Sequence, residues 1–307
     1  MISTINGVQQ LYLANLDRTQ NQMQTAESQL SSGLQVQQPS DAPGAITEIL
    51  QIDSEVAQNK QLQTNLNSVT TELDSADTAL QSAVQNLDNA ISLGTEGASS
   101  TSSATDRANL ATEVTGILKS LVGLSQTTVN GQYIFSGDNG GQPQYQLDAT
   151  QSDGVAQLST SANTRMIEDG NGTPISAAMT AQQIFDARDS SGNPTSGNVF
   201  AAVSALATAL QNNDTAGITQ AIGSLQSASG TVNSALQFYG NAENQISDAA
   251  ALAQKFQTDE QTQLGQLQDA DIPAAALQLT QTQTDEQAAL SSEAKIEQMQ
   301  NLFSYLA

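Results

Sequence analysis

Residues 62–90 read LQTNLNSVTTELDSADTALQSAVQNLDNA. Their apolar members fall at Leu62, Leu66, Val69, Leu73, Ala76, Leu80, Ala83, Leu87 and Ala90, in unbroken alternating steps of four and three. That spacing lays one narrow apolar seam along a helix, the pattern by which long helices pack side by side. Upstream, Ala45, Ile49, Ile52 and Val56 keep the same rhythm. A three-residue step through Asn59 offsets them from the later set, which is a local stammer rather than a helix end. Leu110, Val114, Ile117, Leu121 and Leu124 form another seam, and Ile218, Ile222, Leu225, Val232, Leu236 and Tyr239 a third. At about 1.5 Å of rise per residue, a helix from Ala45 to Leu93 extends roughly 70 Å.

Weaker seams occupy both termini. Ile5, Tyr12, Leu16, Met23, Ala26 and Leu30 share one, with Gln9 and Thr19 at intervening positions. Ala289, Ile296, Met299, Phe303 and Leu306 share another, with Ser292 between. Polar residues on a seam cost stability, so these ends are expected to need a partner to stay folded. Chain ends rarely expose a cluster such as Phe303, Tyr305 and Leu306 unless it packs on something. Gly33 and the Pro39/Pro43 pair end the first helix, and Pro273, with Asp271 as its cap, opens the last.

Between the helical arms, from about Val129 to Gly197, the texture turns to Gly, Asn, Asp and Pro, with Tyr133, Phe135, Tyr145 and Phe185. Gln132–Phe135, Tyr145–Leu147, Val155–Leu158 and Thr164–Ile167 read as short strands, and Asp169-Gly-Asn-Gly172 as a turn. The expected fold is mainly α with a β-rich insertion: a long antiparallel helical rod of N- and C-terminal arms carrying a small central module. The expected division is 1–44 with 270–307 as a terminal helical domain, 45–130 with 198–269 as the rod, and 131–197 as the central domain.

Composition excludes much chemistry. The chain has 307 residues, 8 Lys plus Arg against 31 Asp plus Glu, a formal charge of −23, and no His, Cys or Trp. Without His or Cys there is no Ser-His-Asp triad, cysteine nucleophile, disulfide, or His- or Cys-ligated zinc. The few cations are scattered from Arg18 to Lys295, so nucleic acid and anionic membranes repel it. The loops at Asp138-Asn-Gly140, Glu168-Asp-Gly-Asn171 and Asp189-Ser-Ser-Gly-Asn193 lack the spacing of a calcium loop and read as ordinary turns. Carboxylate pairs Asp259/Glu260 and Asp285/Glu286 diverge around a helix, and Glu293/Glu297 read as a solvated face beside Lys295. Gly131, Gly137, Gly140 and Gly141 fit neither phosphate-loop spacing. No catalytic residue, metal or cofactor is expected. The N-terminus lacks the cationic start and apolar core of a signal peptide, and no run is long and apolar enough to span a bilayer. Absent cysteine fits a cytosolic protein and equally one exported unfolded without a cleaved signal.

The stretch Leu30-Ser-Ser-Gly-Leu-Gln-Val-Gln-Gln-Pro-Ser-Asp-Ala-Pro-Gly-Ala45 resembles the N-terminal signature of the bacterial flagellin superfamily, and Ala288–Ala307 its C-terminal helix. The runs Asp106-Arg-Ala-Asn-Leu-Ala111 and Asn130-Gly-Gln-Tyr-Ile-Phe-Ser-Gly137, and the ending Gln300–Ala307, look most like the hook–filament junction (third hook-associated) proteins of that superfamily. The resemblance implies terminal helices that pair as an inner domain and stay disordered until assembled. It also implies export unfolded through the flagellar type III channel to an extracellular place in the flagellum. The implied partners are the first hook-associated protein, flagellin, further copies in a ring, and a cytoplasmic export chaperone gripping the C-terminal helix. Assembly and chaperone contacts would fall on Ile5, Tyr12, Leu16, Met23, Leu30, Ile296, Met299, Phe303, Tyr305 and Leu306. Two other readings remain: a filament-forming flagellin paralogue, and a surface adhesin or glycan-binding module on a rod. Scarce aromatics count against the last, because sugar sites stack on aromatic rings.

Overall fold

The computed structural model describes residues 2–161 and 164–305, with side chains for all of these except 2–9 and 296–305. Three long segments open the chain: α1 (Ile2–Ser32), α2 (Ile46–Ala98) and α3 (Ala104–Ser125). Six short strands follow, β1 (Thr128–Val129), β2 (Gln132–Tyr133), β3 (Tyr145–Leu147), β4 (Val155–Gln157), β5 (Met166–Glu168) and β6 (Pro174–Ser176). The chain closes with α4 (Ala181–Phe185), α5 (Val199–Gln211), α6 (Thr215–Gln268) and α7 (Ile272–Tyr305). This is a mainly α fold with a β-rich insertion. It divides into two compact units, a smaller one of Met1–Gln58 with Phe256–Ala307 and a larger one of Asn59–Lys255. The division in α2 falls beside Asn59, the position of the stammer.

In the larger unit the α2 seam is buried from Leu66 through Ala90. It continues into Gly94 and Gly97, where added Cβ atoms would come within 3.0 Å of Ile222 and 2.3 Å of Leu210. Its partner α6 runs antiparallel: Gly94 meets Ile222, and Asp74 and Asp77 lie close enough to Glu243 to raise its carboxyl pKa, after desolvation. The buried row of α6 is Ile218, Ala221, Leu225, Ala228, Val232, Ala235, Tyr239, Ala242, Ile246, Ala249 and Ala253. Four of the six expected seam residues, Ile218, Leu225, Val232 and Tyr239, lie in it. Ile222 and Leu236 sit on its flank, packed against the core from a half-buried position, and alanines hold the row. Alanine recurs at every seventh residue on both helices, at Ala76, Ala83 and Ala90 and at Ala221, Ala228, Ala235, Ala242 and Ala249. Small side chains let two helix axes approach toward the low end of the usual range of about 8–10 Å. Similarly, Ile117 and Leu124 of α3 are half-buried, while Leu118 and Val122 lie deeper.

Glycine on the outer faces has the opposite character. Added Cβ atoms at Gly116 and Gly123 of α3, and at Gly223 and Gly230 of α6, would touch nothing. A glycine inside an exposed helix costs about 0.5–1 kcal/mol against alanine. Gly116→Ala is expected to raise the urea midpoint by a corresponding amount, with an unchanged m-value. A lower midpoint would mean that this helix does not extend through residue 116.

A compact joint turns α2 into α3. Arg107, 6% exposed, donates from Nε to the Gly97 carbonyl (2.7 Å), from Nη2 to the Ser99 carbonyl (2.9 Å) and from Nη1 to Asn213 Oδ1 (2.6 Å). A cation thereby satisfies carbonyls at the negative end of α2. One residue earlier, Asp106 forms a reciprocal capping box with Ser103 at the start of α3. The Ser103 hydroxyl and backbone N–H hold the Asp106 carboxyl below its ordinary pKa.

The strands make three antiparallel hairpins, β1–β2, β3–β4 and β5–β6. Asn130 (φ 53°) and Gly131 (φ 77°) fill the two-residue turn of the first, the left-handed pair such a turn requires. Tyr145–Leu147 forms as expected, Val155–Gln157 is one residue shorter, and the strand expected at Thr164–Ile167 forms at Met166–Glu168. Only Gln132–Tyr133 of the first expected strand pairs, and β1, β6 and α4 are new. The Arg165–Glu72 ion pair ties the third hairpin to α2. Phe135, Tyr145, Val155, Ile175 and Phe185 belong to one core with α2, α3, α5 and α6.

In the smaller unit α1 and α7 pair antiparallel. The α1 helix ends at Ser32, and Gly33 (φ 77°) donates its N–H to the Gln29 carbonyl (2.8 Å). Asp271 caps α7 by accepting from Ala274 N–H (3.0 Å), with Pro273 in the first turn, where its missing N–H costs no helix bond.

Candidate assembly interface

The α1–α7 pair is poor in apolar contact. Facing α7, α1 presents Tyr12, Leu16, Thr19, Met23 and Leu30, all half-buried, with Ala26 buried. This is the row expected from the sequence. Ile5 continues it along the helix, with its side chain outside the described residues. The α7 row is Ala275, Leu279, Thr282, Glu286, Ala289 and Glu293, of which Ala275 and Thr282 are buried and the rest half-buried. Glu286 accepts a hydrogen bond from Gln20 Nε2 (3.2 Å). Glu293 therefore lies on the packed row and Ser292 is exposed. This reverses their expected places, because the step from Ala289 is four residues and not three. Ile296, Met299, Phe303 and Tyr305 lie on α7 with side chains outside the described residues, and Leu306 is wholly outside them.

Large apolar side chains instead face solvent. Leu11 (65% exposed), Leu13, Leu50, Ile272, Leu277 (68%) and Leu290 are exposed on the helices of the smaller unit. In the larger unit the exposed large apolar residues are Leu147, Leu158 and Met166, all at the strands, and none lies on its helices among the described residues. Sequence reasoning passed over Leu11 and Leu13 because it followed the seam. Their signal was present as leucines on either side of Tyr12, off the packed row. A helix pair with a partly polar inner face and leucines outward gains further apolar burial from other molecules.

The polar clusters of the larger unit are structural. Asp186, fully buried, accepts from Tyr145 Oη (2.8 Å) and Arg188 Nε (2.8 Å) on Oδ2 and from Asn198 Nδ2 (2.6 Å) on Oδ1. Arg188 Nη2 also donates to Asp153 Oδ2 (2.6 Å). Burial first, then the Asp186 charge, pushes the Tyr145 phenol far above its ordinary pKa, so it stays a donor. The glycine-rich acidic loops are turns closed by their own carboxylates: Asp169 Oδ1 accepts from Asn171 and Thr173 N–H, and Asp189 Oδ1 from Ser191 and Asn193 N–H. Those backbone donors lower both carboxyl pKa values. Among the described residues no group of three or more acidic side chains is placed to hold a metal ion, and no helix is long and apolar enough to cross a membrane.

Residues 2–140 match the family of the bacterial flagellin N-terminal helical region. No curated protein matches the chain. Among solved structures, a putative flagellar hook-associated protein from Vibrio parahaemolyticus superposes with TM-score 0.65 at 21% identity, over 75% of this chain and 100% of that one. Flagellar hook-associated protein 3 from Legionella pneumophila gives 0.62 at 15%, over 71% and 98%. The flagellar junction protein FlgL from the same organism gives 0.54 at 14%, over 66% and 99%. At these identities the structures establish a shared fold. The flagellin resemblance read from Leu30–Ala45 thus stands on a family match across the whole N-terminal arm.

Proposed function

From a chain whose residues 2–140 carry the flagellin N-terminal helical region, we infer a structural protein of the bacterial flagellum, an adaptor ring joining hook to filament. The observation that carries this reading is the smaller unit, with a half-polar α1–α7 seam and leucines turned outward. Copies of the chain would close into a ring, and its two axial neighbours, the first hook-associated protein and flagellin, would be met through heterologous contacts. Apolar burial between subunits supplies the energy, and no covalent chemistry is involved. The terminal domain would be disordered until assembled except at its root, where residues 33–45 are hydrogen-bonded to the last turn of α1 and to the α6–α7 turn. Export would be unfolded, with a cytoplasmic chaperone on the C-terminal helix at Ile296, Met299, Phe303, Tyr305 and Leu306.

Deleting the gene and locating flagellin tests this directly. Bare hooks with flagellin monomer in the medium are expected; filaments of normal number and length would identify a redundant flagellin or an accessory surface protein. A paired substitution separates folding from assembly. Leu11→Asp with Leu290→Asp alters exposed positions, so purified protein should unfold within about 0.5 kcal/mol of wild type for each change. It should nevertheless fail to restore filaments to the deletion strain. Full restoration would remove the leucine surface from the assembly contacts.

A further inference from the structure

The connection of residues 33–45 carries a fastening of its own. Thirteen residues long and without a helix or strand beyond the single Leu34–Asp269 bridge, it sits at a length where connections in compact folds usually serve a purpose. Asp41 Oδ2 accepts from the N–H groups of Gln37 (3.0 Å) and Gln38 (2.8 Å). The Gln37 side chain reaches back to the last turn of α1: Nε2 donates to the Ser28 carbonyl (3.1 Å) and Ser32 Oγ (2.6 Å), and Oε1 accepts from Ser28 Oγ (2.9 Å). On its other side the connection is stitched to the α6–α7 turn. Gln35 N–H donates to the Gln268 carbonyl (2.7 Å), Gln268 Nε2 to the Val36 carbonyl (3.2 Å), and Ala270 N–H to the Gly33 carbonyl (2.9 Å). Val36 is buried beneath. The two helix breaks, after Ser32 and after Gln268, are thus held together at one point.

We propose that Gln37 and Asp41 are positioning residues for assembly, a buckle that fixes the direction in which the α1–α7 pair leaves the root of α2 and α6. The inference rests on the assembly reading above. Neither residue is exposed apolar surface, and neither needs to touch a neighbouring subunit. Their effect is to present the α1 and α7 leucines in one orientation rather than many, so binding does not bear the entropy of choosing it.

The test uses the full chain and three variants, Asp41→Ala, Gln37→Ala and Asp41→Asn. Hydrogen exchange followed by mass spectrometry reads the 33–45 peptides, and filament number in the deletion strain reads assembly. Asp41→Ala and Gln37→Ala are expected to speed exchange of those peptides by about tenfold or more, while larger-unit peptides keep wild-type protection. Filament number should fall by a comparable factor. Asp41→Asn keeps an oxygen that accepts both N–H bonds without the charge, so it should restore both readouts most of the way. Unchanged exchange in Asp41→Ala would overturn the buckle. Fast exchange with normal filament number would overturn its role in assembly, as would an Asp41→Asn variant as defective as Asp41→Ala. Should deletion of the gene itself leave filament number unaffected, the junction reading fails, and the exchange arm alone decides whether the buckle exists.

Discussion

Phe135→Ala is expected to destabilise the larger unit by about 3–5 kcal/mol, the range for removing a buried aromatic ring. Phe135 is fully buried, with its ring edge-on to Phe185 (centroids 6.0 Å, 82°) and to Tyr239 (6.2 Å, 89°). Its carbonyl accepts from Ala181 N–H (2.7 Å) at the start of α4. One residue thus joins the first hairpin, α4 and the centre of α6. The penalty should exceed the transfer cost of the ring, because Tyr239 Oη accepts from Met179 N–H (3.1 Å) and is not free to collapse into the space. Urea unfolding followed by far-ultraviolet circular dichroism measures the difference, and Phe135→Leu should recover more than half of it. A loss below about 1 kcal/mol would show that this core relaxes freely and that the aromatic cluster is not its centre.

Arg188→Met should cost a similar amount, about 3–5 kcal/mol, through electrostatics. Removing the guanidinium leaves the Asp186 carboxylate in the interior with Tyr145 and Asn198 as partners, and takes the Arg188 salt bridge from Asp153. The bond to Asp186, ahead of the two carboxylate charges, raises the pKa of Arg188 further above its ordinary value, so it is cationic at any working pH. Arg188→Lys keeps the charge but not the planar fork that reaches both carboxylates, and should fall between the two. Wild-type stability in Arg188→Met would mean that the network is neutralised by other means, and that the hairpin–α5 junction does not depend on it.

Much of this architecture was legible from spacing alone. The α2 seam from Leu66 to Ala90 is buried residue for residue, and Gly33 and Asp271 bound their helices as read. The α6 seam was misread because a hydrophobicity scan prefers Ile222 and Leu236 to Ala221 and Ala235. Close helix packing selects for small volume at those positions, which hydropathy does not register. Glu286 and Glu293 are illegible as packing positions for the reverse reason: hydropathy scores a glutamate as wholly polar, although its aliphatic stem can be buried while the carboxylate reaches solvent, and both are half-buried here. The strand pairings were beyond reach, since two- and three-residue strands carry no periodicity. Around Tyr133 and Phe135 the short strand and the Asn130-Gly131 turn before it are legible in the sequence, whereas the place of the Phe135 ring at the centre of the core required the fold.

The order of helix pairing has a consequence for how the chain acquires its shape. α1 finds its partner in α7, and α2, already packed on α3, completes its seam against α6, so the longest-range pairings join the first third of the chain to the last. Contacts this distant in sequence are slow to form, because a large loop must close before they repay it. A polypeptide delivered amino end first could fold α2 back on α3, as the Asn86–Ser120 hydrogen bond joins them, and later add α5 to α3, while α1 would be left without its partner. Completion is reserved for the arrival of the carboxyl end. The molecule is a clasp that cannot shut before its last segment is present.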